Sequence, residues 1–291
     1  MLVVGAAALT GHVATSIVLI LAVVAGLPHG ATDAVVGRHV FRFFGSTWWV
    51  PFLAAYVGLA ALVLGMWAAR PTFMLATFLV LSVIHFGMQD GESERASGSW
   101  FDVVAHGGAP IVVPALFHTV EVERLFTILA GQGGSTVLWL IAGPAVGIWV
   151  VAVAVVVYRA SETGKPIASL LDLGLTSTLF AVAPPLVAFG FYFALLHTPR
   201  AFVSQHRRGS LPAMRQSLTL TAMACFLGIC IYYTGQKIDF DANVVRTSFM
   251  LLSALTVPHM ALEYGARKLP TRTAISYERS LNTIVACAKS P

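Results

Sequence analysis

The sequence predicts an all-α protein, a polytopic transmembrane helical bundle of about seven to nine membrane segments. Three observations predict it. Hydrophobic residues fill 57% of the 291 positions, charged residues fill 11%, and the mean hydropathy is +0.80; a soluble domain carries about 25% charged residues. The apolar residues gather in runs of roughly twenty, the length that crosses a bilayer core. The runs stop at turn chemistry: Arg70-Pro71, GESERASGS at 91–99, GQGGS at 131–135 and SETGKP at 161–166.

Taken in order, the runs are 8–27, 50–69, 72–89, 103–118, 136–158, 167–183, 186–203, 216–234 and 247–265. The first lacks a basic leader and a small-residue cleavage site, and so reads as a retained helix rather than a signal peptide. The run 103–118 carries Gly107, Gly108, Pro110 and Pro114, a composition that suits a re-entrant or broken segment. Pro184-Pro185 interrupts a long apolar stretch, which is then either one kinked helix or two short spans. No interior linker divides the chain: residues 1–266 read as a single transmembrane helical domain, and 267–291 as a basic tail lying on the membrane surface. Cys225, Cys230 and Cys287 form no disulfide framework and read as small apolar fillers.

Charge supplies a topology. If all nine runs cross, every lysine and arginine except Arg70, Arg124, Lys237 and Arg246 falls on one face. The positive-inside rule makes that face cytoplasmic, and the chain an integral protein of a bacterial inner membrane. The net charge of +5 then reflects this bias and anionic lipid. No dense basic patch with interleaved aromatics exists, so nucleic acid is not an expected partner.

The same face receives four histidines from four different runs: His29 in GLPHGATDAVV, His85 in SVIHFGMQDGE, His197 in FYFALLHTPRAF and His259 in LTVPHMALE. A lone buried histidine bonded to the next helix is an ordinary core residue. Four at one depth point instead to a shared metal, because an ionisable group within a span is costly unless a partner, cavity or metal faces it. Asp33 and Glu263 follow His29 and His259 by four residues, the offset that shares a helix face; Asp90 follows His85 at the poorer offset of five. Such carboxylates orient metal-bound imidazoles by accepting their second N–H. An all-imidazole set suits iron, zinc or copper. His106 and His118 flank the Gly/Pro-rich run HGGAPIVVPALFH and are secondary candidates; His12, His39 and His206 are not expected at the site. Phe191, Tyr192, Phe193 and Tyr264 stand close in sequence to the ligand candidates and could line a tunnel for a long apolar substrate.

The motifs PHGATD, HFGMQDGE, HGGAPIVVPALFH, LLHTPR and VPHMALE, in this order, resemble the Brp/Blh family of membrane β-carotene 15,15′-dioxygenases from about Gly26 to Glu263. The resemblance implies Fe(2+)-dependent cleavage of the central double bond of β-carotene by O₂ to give retinal. It also implies His29, His85 and His197 as iron ligands, and leaves room for a retinal-binding partner protein. One position departs. The family pattern has a second histidine four residues after His197, where this chain has Ala201. Either His259 supplies the fourth imidazole, the reading adopted here, or the site keeps three protein ligands, or the activity is lost or altered. Two other functions fit parts of the pattern: a membrane cytochrome with bis-histidine haem, and a non-catalytic carotenoid- or retinoid-binding or assembly protein.

Overall fold

The computed structural model describes residues 16–24, 26, 33–90, 99–163, 167–207, 214–234 and 239–267. They are helical almost throughout, with no strand among the described residues. After α1 (residues 16–24) come α2 (Asp33–Val40), a 3₁₀ turn (Arg42–Thr47), α3 (Trp49–Ala69), α4 (Pro71–Asp90), α5 (Trp100–Phe117) and α6 (Thr119–Ala130). Then follow α7 (Gly133–Leu140), a π turn (Ile141–Ala145), α8 (Val146–Thr163), α9 (Ile167–Val182) and α10 (Pro185–Phe191). A second π turn (Tyr192–His197), α11 (Thr198–Arg207), α12 (Met214–Thr234) and α13 (Phe240–Arg267) complete the described chain. The tail predicted to lie on the membrane surface falls outside the described residues beyond Arg267.

Six helical stretches among the described residues are long and apolar enough to cross a membrane: Trp49–Ala69, Pro71–Gln89, Trp100–Phe117, Gly133–Glu162, Pro185–Val203 and Phe240–Ala266. Two shorter apolar helices, Ser169–Val182 and Leu218–Thr234, accompany them. This is an integral membrane protein. Its outer surface is built from exposed apolar side chains such as Leu62, Ile148 and Phe226, as a lipid-facing surface requires.

One expectation is corrected. The run 103–118 is neither re-entrant nor broken: α5 is a continuous helix with Pro110 and Pro114 inside it, enclosed by α4, α8 and α9. Its glycines serve close packing. A Cβ on Gly107 would lie 1.9 Å from the Val83 carbonyl oxygen, and one on Gly87 would lie 2.1 Å from that of Val103, so α4 and α5 run antiparallel with their backbones nearly touching, the small-residue packing that membrane helices favour. Trp149 of α8 donates its indole N–H to the Ala105 carbonyl (2.9 Å), tying the third helix to this pair. The prolines are tolerated because neighbouring helices, not lipid, surround the backbone they disturb.

The Pro184-Pro185 question resolves as a break. α9 ends at Val182, Pro184 adopts φ −52° and ψ 140°, and Pro185 opens α10, the first-turn position where a missing N–H costs nothing. Helix α6 has no counterpart among the apolar runs of the sequence. It is too short to span, but Val122, Phe126 and Leu129 recur on one face and are buried, while Glu121, Glu123 and Arg124 are exposed. That pattern is an amphipathic surface helix. It packs on α4, α5, α7 and α13, and so closes the end of the bundle at which α5 finishes and α4 begins.

The last long helix organises the site. α13 packs on α2, α3, α4, α6 and α12, and Trp67 of α3 donates to Ser253 Oγ (2.7 Å) to pin the two together. Among the most deeply enclosed side chains are an imidazole and a carboxyl group, those of His197 and Asp33. Their burial needs a reason that apolar packing does not supply.

Candidate metal centre

Three of the four predicted histidines meet at one end of the bundle. His85 lies near the C-terminal end of α4, His197 at the end of the second π turn, and His259 in the last third of α13; all three are buried. The His85 ring centroid is 5.2 Å from that of His197 and 5.4 Å from that of His259. His29 lies outside the described residues. Gly26 and Asp33, which bracket its segment, both line the cavity that the three histidines share.

Local backbone sets each ring. Pro199 cannot donate to the carbonyl one turn back, and its ring would crowd that carbonyl. The chain widens just before it: the Thr198 N–H reaches Phe193 O rather than Ala194 O, the five-residue spacing of a π turn, a device common at functional sites. The widened turn puts His197 over Phe193, with rings stacked at 5.5 Å and 18°. Phe86, next to His85, closes the other side edge-on at 4.8 Å from the His197 ring. Beyond Pro199, Arg200 makes a two-pronged ion pair with Asp172 of α9, which fixes the direction in which the histidine-bearing turn continues. Ala201 is buried one turn after His197 and brings no donor atom.

The expected pairing of Asp33 with His29 lies outside the described residues; within them Asp33 accepts from His259, whose Nδ1 lies 2.6 Å from Asp33 Oδ1, both groups buried. The second carboxylate oxygen accepts the Tyr56 hydroxyl at 2.8 Å. A carboxylate oxygen accepts, so Nδ1 of His259 is the donor in this pair. This is the carboxylate–histidine pairing that orients metal-bound imidazoles. Glu263 Oε1 stands 4.0 Å from His259 Nε2, and the Gln89 amide, one turn after His85, stands 3.4 Å from it. The side chain of Asp90 lies outside those described.

The rings converge without closing. Among the described residues no three His, Cys, Asp or Glu side chains stand in metal-holding geometry. The chemistry of the donor set nevertheless fits a first-row metal such as iron: imidazoles in a largely apolar setting, one oriented by a buried carboxylate.

The remaining candidates separate clearly. His106 sets Nδ1 3.0 Å from the Asp102 carbonyl and Nε2 3.3 Å from the Ser169 carbonyl, while His118 sets Nε2 3.1 Å from the Ala181 carbonyl. The Ser169 hydroxyl also lies 3.3 Å from His106 Nε2, so both histidines are engaged by groups of the α5–α9 pair. Of the four aromatics, Phe193 lines the cavity and Tyr192 is buried against the His197 ring at 6.1 Å. Phe191 is 48% exposed and Tyr264 61% exposed, and neither lines the cavity. The sequence reading missed Tyr56, Gln89 and Phe86. A tyrosine and a glutamine inside otherwise apolar spans were the available signal for the first two; Phe86 has none beyond standing next to His85.

The histidines occupy one end of a cavity of about 440 Å³. Near the histidines it also takes Asp33, Tyr56, Ser82 and Thr256; the rest of its wall is apolar, drawn mainly from α3, α4, α5, α6, α10, α12 and α13. Such a chamber, polar at one end and greasy elsewhere, suits a long hydrocarbon with one reacting position.

Comparison with known proteins agrees with this chemistry. The family model described as Beta-carotene 15,15'-dioxygenase matches residues 20–265. The chain is 32% identical to the Beta-carotene 15,15'-dioxygenase of uncultured marine bacterium 66A03, over 84% of this chain and 90% of that protein. It is 28% identical to the Probable beta-carotene 15,15'-dioxygenase Blh of Halobacterium salinarum, over 83% of this chain and 81% of that protein. No solved structure matches. Matched by that family's model over nearly all of its membrane domain, the chain belongs to the beta-carotene 15,15'-dioxygenase family.

Proposed function

We propose that this protein cleaves the central double bond of β-carotene, or a closely related carotenoid, with O₂ to give retinal. The balance needs no other reactant: one C=C bond breaks, each oxygen atom of O₂ ends in one new C=O, and two aldehydes result. The observation that carries the reading is the meeting of three buried imidazoles from three helices at the end of one apolar cavity.

The group to be held is Fe(2+), with His85, His197 and His259 as ligands and His29 as a further one. Support for His29 comes from its neighbours in the chain: Gly26 and Asp33 both line the cavity. When bound, the iron supplies O₂ activation that no side chain of this set can provide. Every other role belongs to the chain. Asp33 holds the proton of His259 on Nδ1 and so directs Nε2 inward; Tyr56 holds Asp33 in turn. Phe193 and Phe86 pack the His197 ring so that it cannot rotate away. The apolar wall aligns the polyene and keeps water from the reacting carbons, and positioning of this kind is a large share of catalysis.

The substrate reaches the cavity from the bilayer, so a water-insoluble molecule never leaves an apolar medium. The histidine end lies at the cytoplasmic side of a bacterial inner membrane, a reading supported by the distribution of lysine and arginine. A retinal-binding protein is a natural recipient of the product.

The test is expression in bacteria that accumulate β-carotene, with retinal and residual carotene measured by chromatography and iron measured in the purified protein. Retinal from the wild type and none from His85→Ala supports the assignment. Carotene left intact by folded, iron-loaded wild type removes it.

A further inference from the structure

Among the described residues the cavity ends in a covered arm on one side and has surface-exposed lining side chains on the other, and the difference bears on which bond is cut. The antiparallel register of α4 and α5, set by Gly87 against Val103 and Gly107 against Val83, puts Ala105 at the level of His85. Pro114, which lines the cavity, is then about nine residues deeper, or ~13 Å at ~1.5 Å per residue. Past Pro114 the wall is completed by Val122, Leu125 and Phe126 of α6. These belong to the amphipathic helix laid across that end of the bundle, its charged side chains turned outward. The arm therefore ends on a floor.

At the histidine level, by contrast, the described wall includes side chains on the outer surface: lining residues Val57 of α3 and Met223 of α12 are 57% and 51% exposed. Both stand near that level: Val57 follows Tyr56, which is bonded to Asp33. Gly228 facing Leu251 puts Met223 opposite Thr256, one turn below His259. A long substrate can hold one arm in the closed chamber and leave the other in the bilayer.

From this geometry we infer that α6 is the floor of a molecular ruler: one arm of the carotenoid fills the chamber down to Val122, Leu125 and Phe126, and the depth of that floor selects the double bond presented at the histidines. The inference rests on the cleavage reading above. A depth of ~13 Å is roughly half the ~30 Å hydrocarbon core, and a carotenoid is a molecule of about that full length whose central bond lies halfway. Substituting one large floor side chain changes the depth on the scale of the spacing between successive double bonds of a polyene.

Leu125 is the residue to change, because it lines the chamber yet is only half-buried. In carotene-accumulating cells, wild type gives a single aldehyde, since both halves are identical. Leu125→Ala deepens the chamber, so the arm slides further in and an unequal pair of aldehydes appears, one longer and one shorter than retinal, together holding all the substrate's carbons. Leu125→Trp raises the floor and gives an unequal pair with the shorter fragment in the chamber, or no cleavage. A second measurement needs no turnover: quenching of tryptophan fluorescence in metal-free protein by apocarotenals of graded length. Wild-type affinity should drop beyond retinal length, and Leu125→Ala should move that limit to longer chains.

Equal cleavage by both folded variants, with the length limit unmoved, overturns the ruler and leaves the cleavage reading intact. Wild type that binds apocarotenals with the expected limit but leaves carotene uncut in the iron-loaded state overturns the cleavage reading, and the ruler with it. If Leu125→Trp does not fold, the alanine variant and the binding limit carry the test alone.

Discussion

Two sets of histidines inside the same bundle differ in what their nitrogens meet. His85, His197 and His259 face one another across an apolar chamber, with a buried aspartate behind one of them. His106 and His118 are also enclosed by helices, but their nitrogens go to the backbone carbonyls of Asp102, Ser169 and Ala181. Burial is common to most of these rings and distinguishes nothing. A backbone carbonyl occupies a ring nitrogen within the helix packing; a buried carboxylate orients the ring toward the chamber. The partner, not the depth, separates the two sets.

Substitutions can break or sharpen this contrast. His85→Ala should have the largest effect, a loss of more than ~100-fold in iron affinity and retinal yield, since removing even an outer partner of a metal ligand costs about 10–100-fold. Iron content of the purified protein and product yield check it together. Asp33→Asn comes next, with iron affinity reduced ~10–100-fold; metal titration would show it, and unchanged affinity would mean that His259 needs no carboxylate. Tyr56→Phe removes one hydrogen bond to that carboxylate, worth ~1.5–3 kcal/mol. The expected loss in iron affinity is smaller than for Asp33→Asn, and the cavity wall is otherwise kept.

The other histidine set should respond in the opposite sense. His106→Ala strands backbone carbonyls of the α5–α9 pair and should lower stability by ~1–3 kcal/mol, read as an earlier thermal transition in detergent. Retinal yield per folded, iron-loaded molecule should stay at the wild-type level. A drop in iron content from this substitution would dissolve the distinction between the two sets.

Much of the site was legible in the linear sequence, and the reasons are local. Polar residues inside long apolar runs stand out whatever the fold, and helix geometry converts position in a run into depth. That is why His85, His197 and His259 could be assigned to one level before any contact was known. The carboxylates were legible only as types. The four-residue offset suggested Asp33 for His29, and nothing in the sequence showed that Asp33 also holds His259 from across the whole chain. The offset of four also favoured Glu263, which stands at 4.0 Å from His259 Nε2, while Asp33 makes the close bond to Nδ1.

The aromatics show the same limit. Nearness in sequence to a ligand favoured Phe191 and Tyr264 along with Phe193, yet the bundle turns the first two toward the outside. Which face of a helix looks inward depends on its neighbours, and here also on a π turn that shifts the phase just before Pro199. Gly107, Gly108, Pro110 and Pro114 suggested a broken segment; the enclosure of α5 by three helices makes them compatible with an unbroken one.

By itself the sequence determined the membrane class, the helical runs, the common depth of the histidines and the imidazole character of the site, because hydropathy, helical rise and donor chemistry are properties of the chain read locally. The tertiary structure alone decided which carboxylate orients which histidine, which aromatics face the chamber, and that a short amphipathic helix closes its far end. Those are relations between helices distant in sequence, set by how close two backbones can approach and by which buried polar groups must find each other.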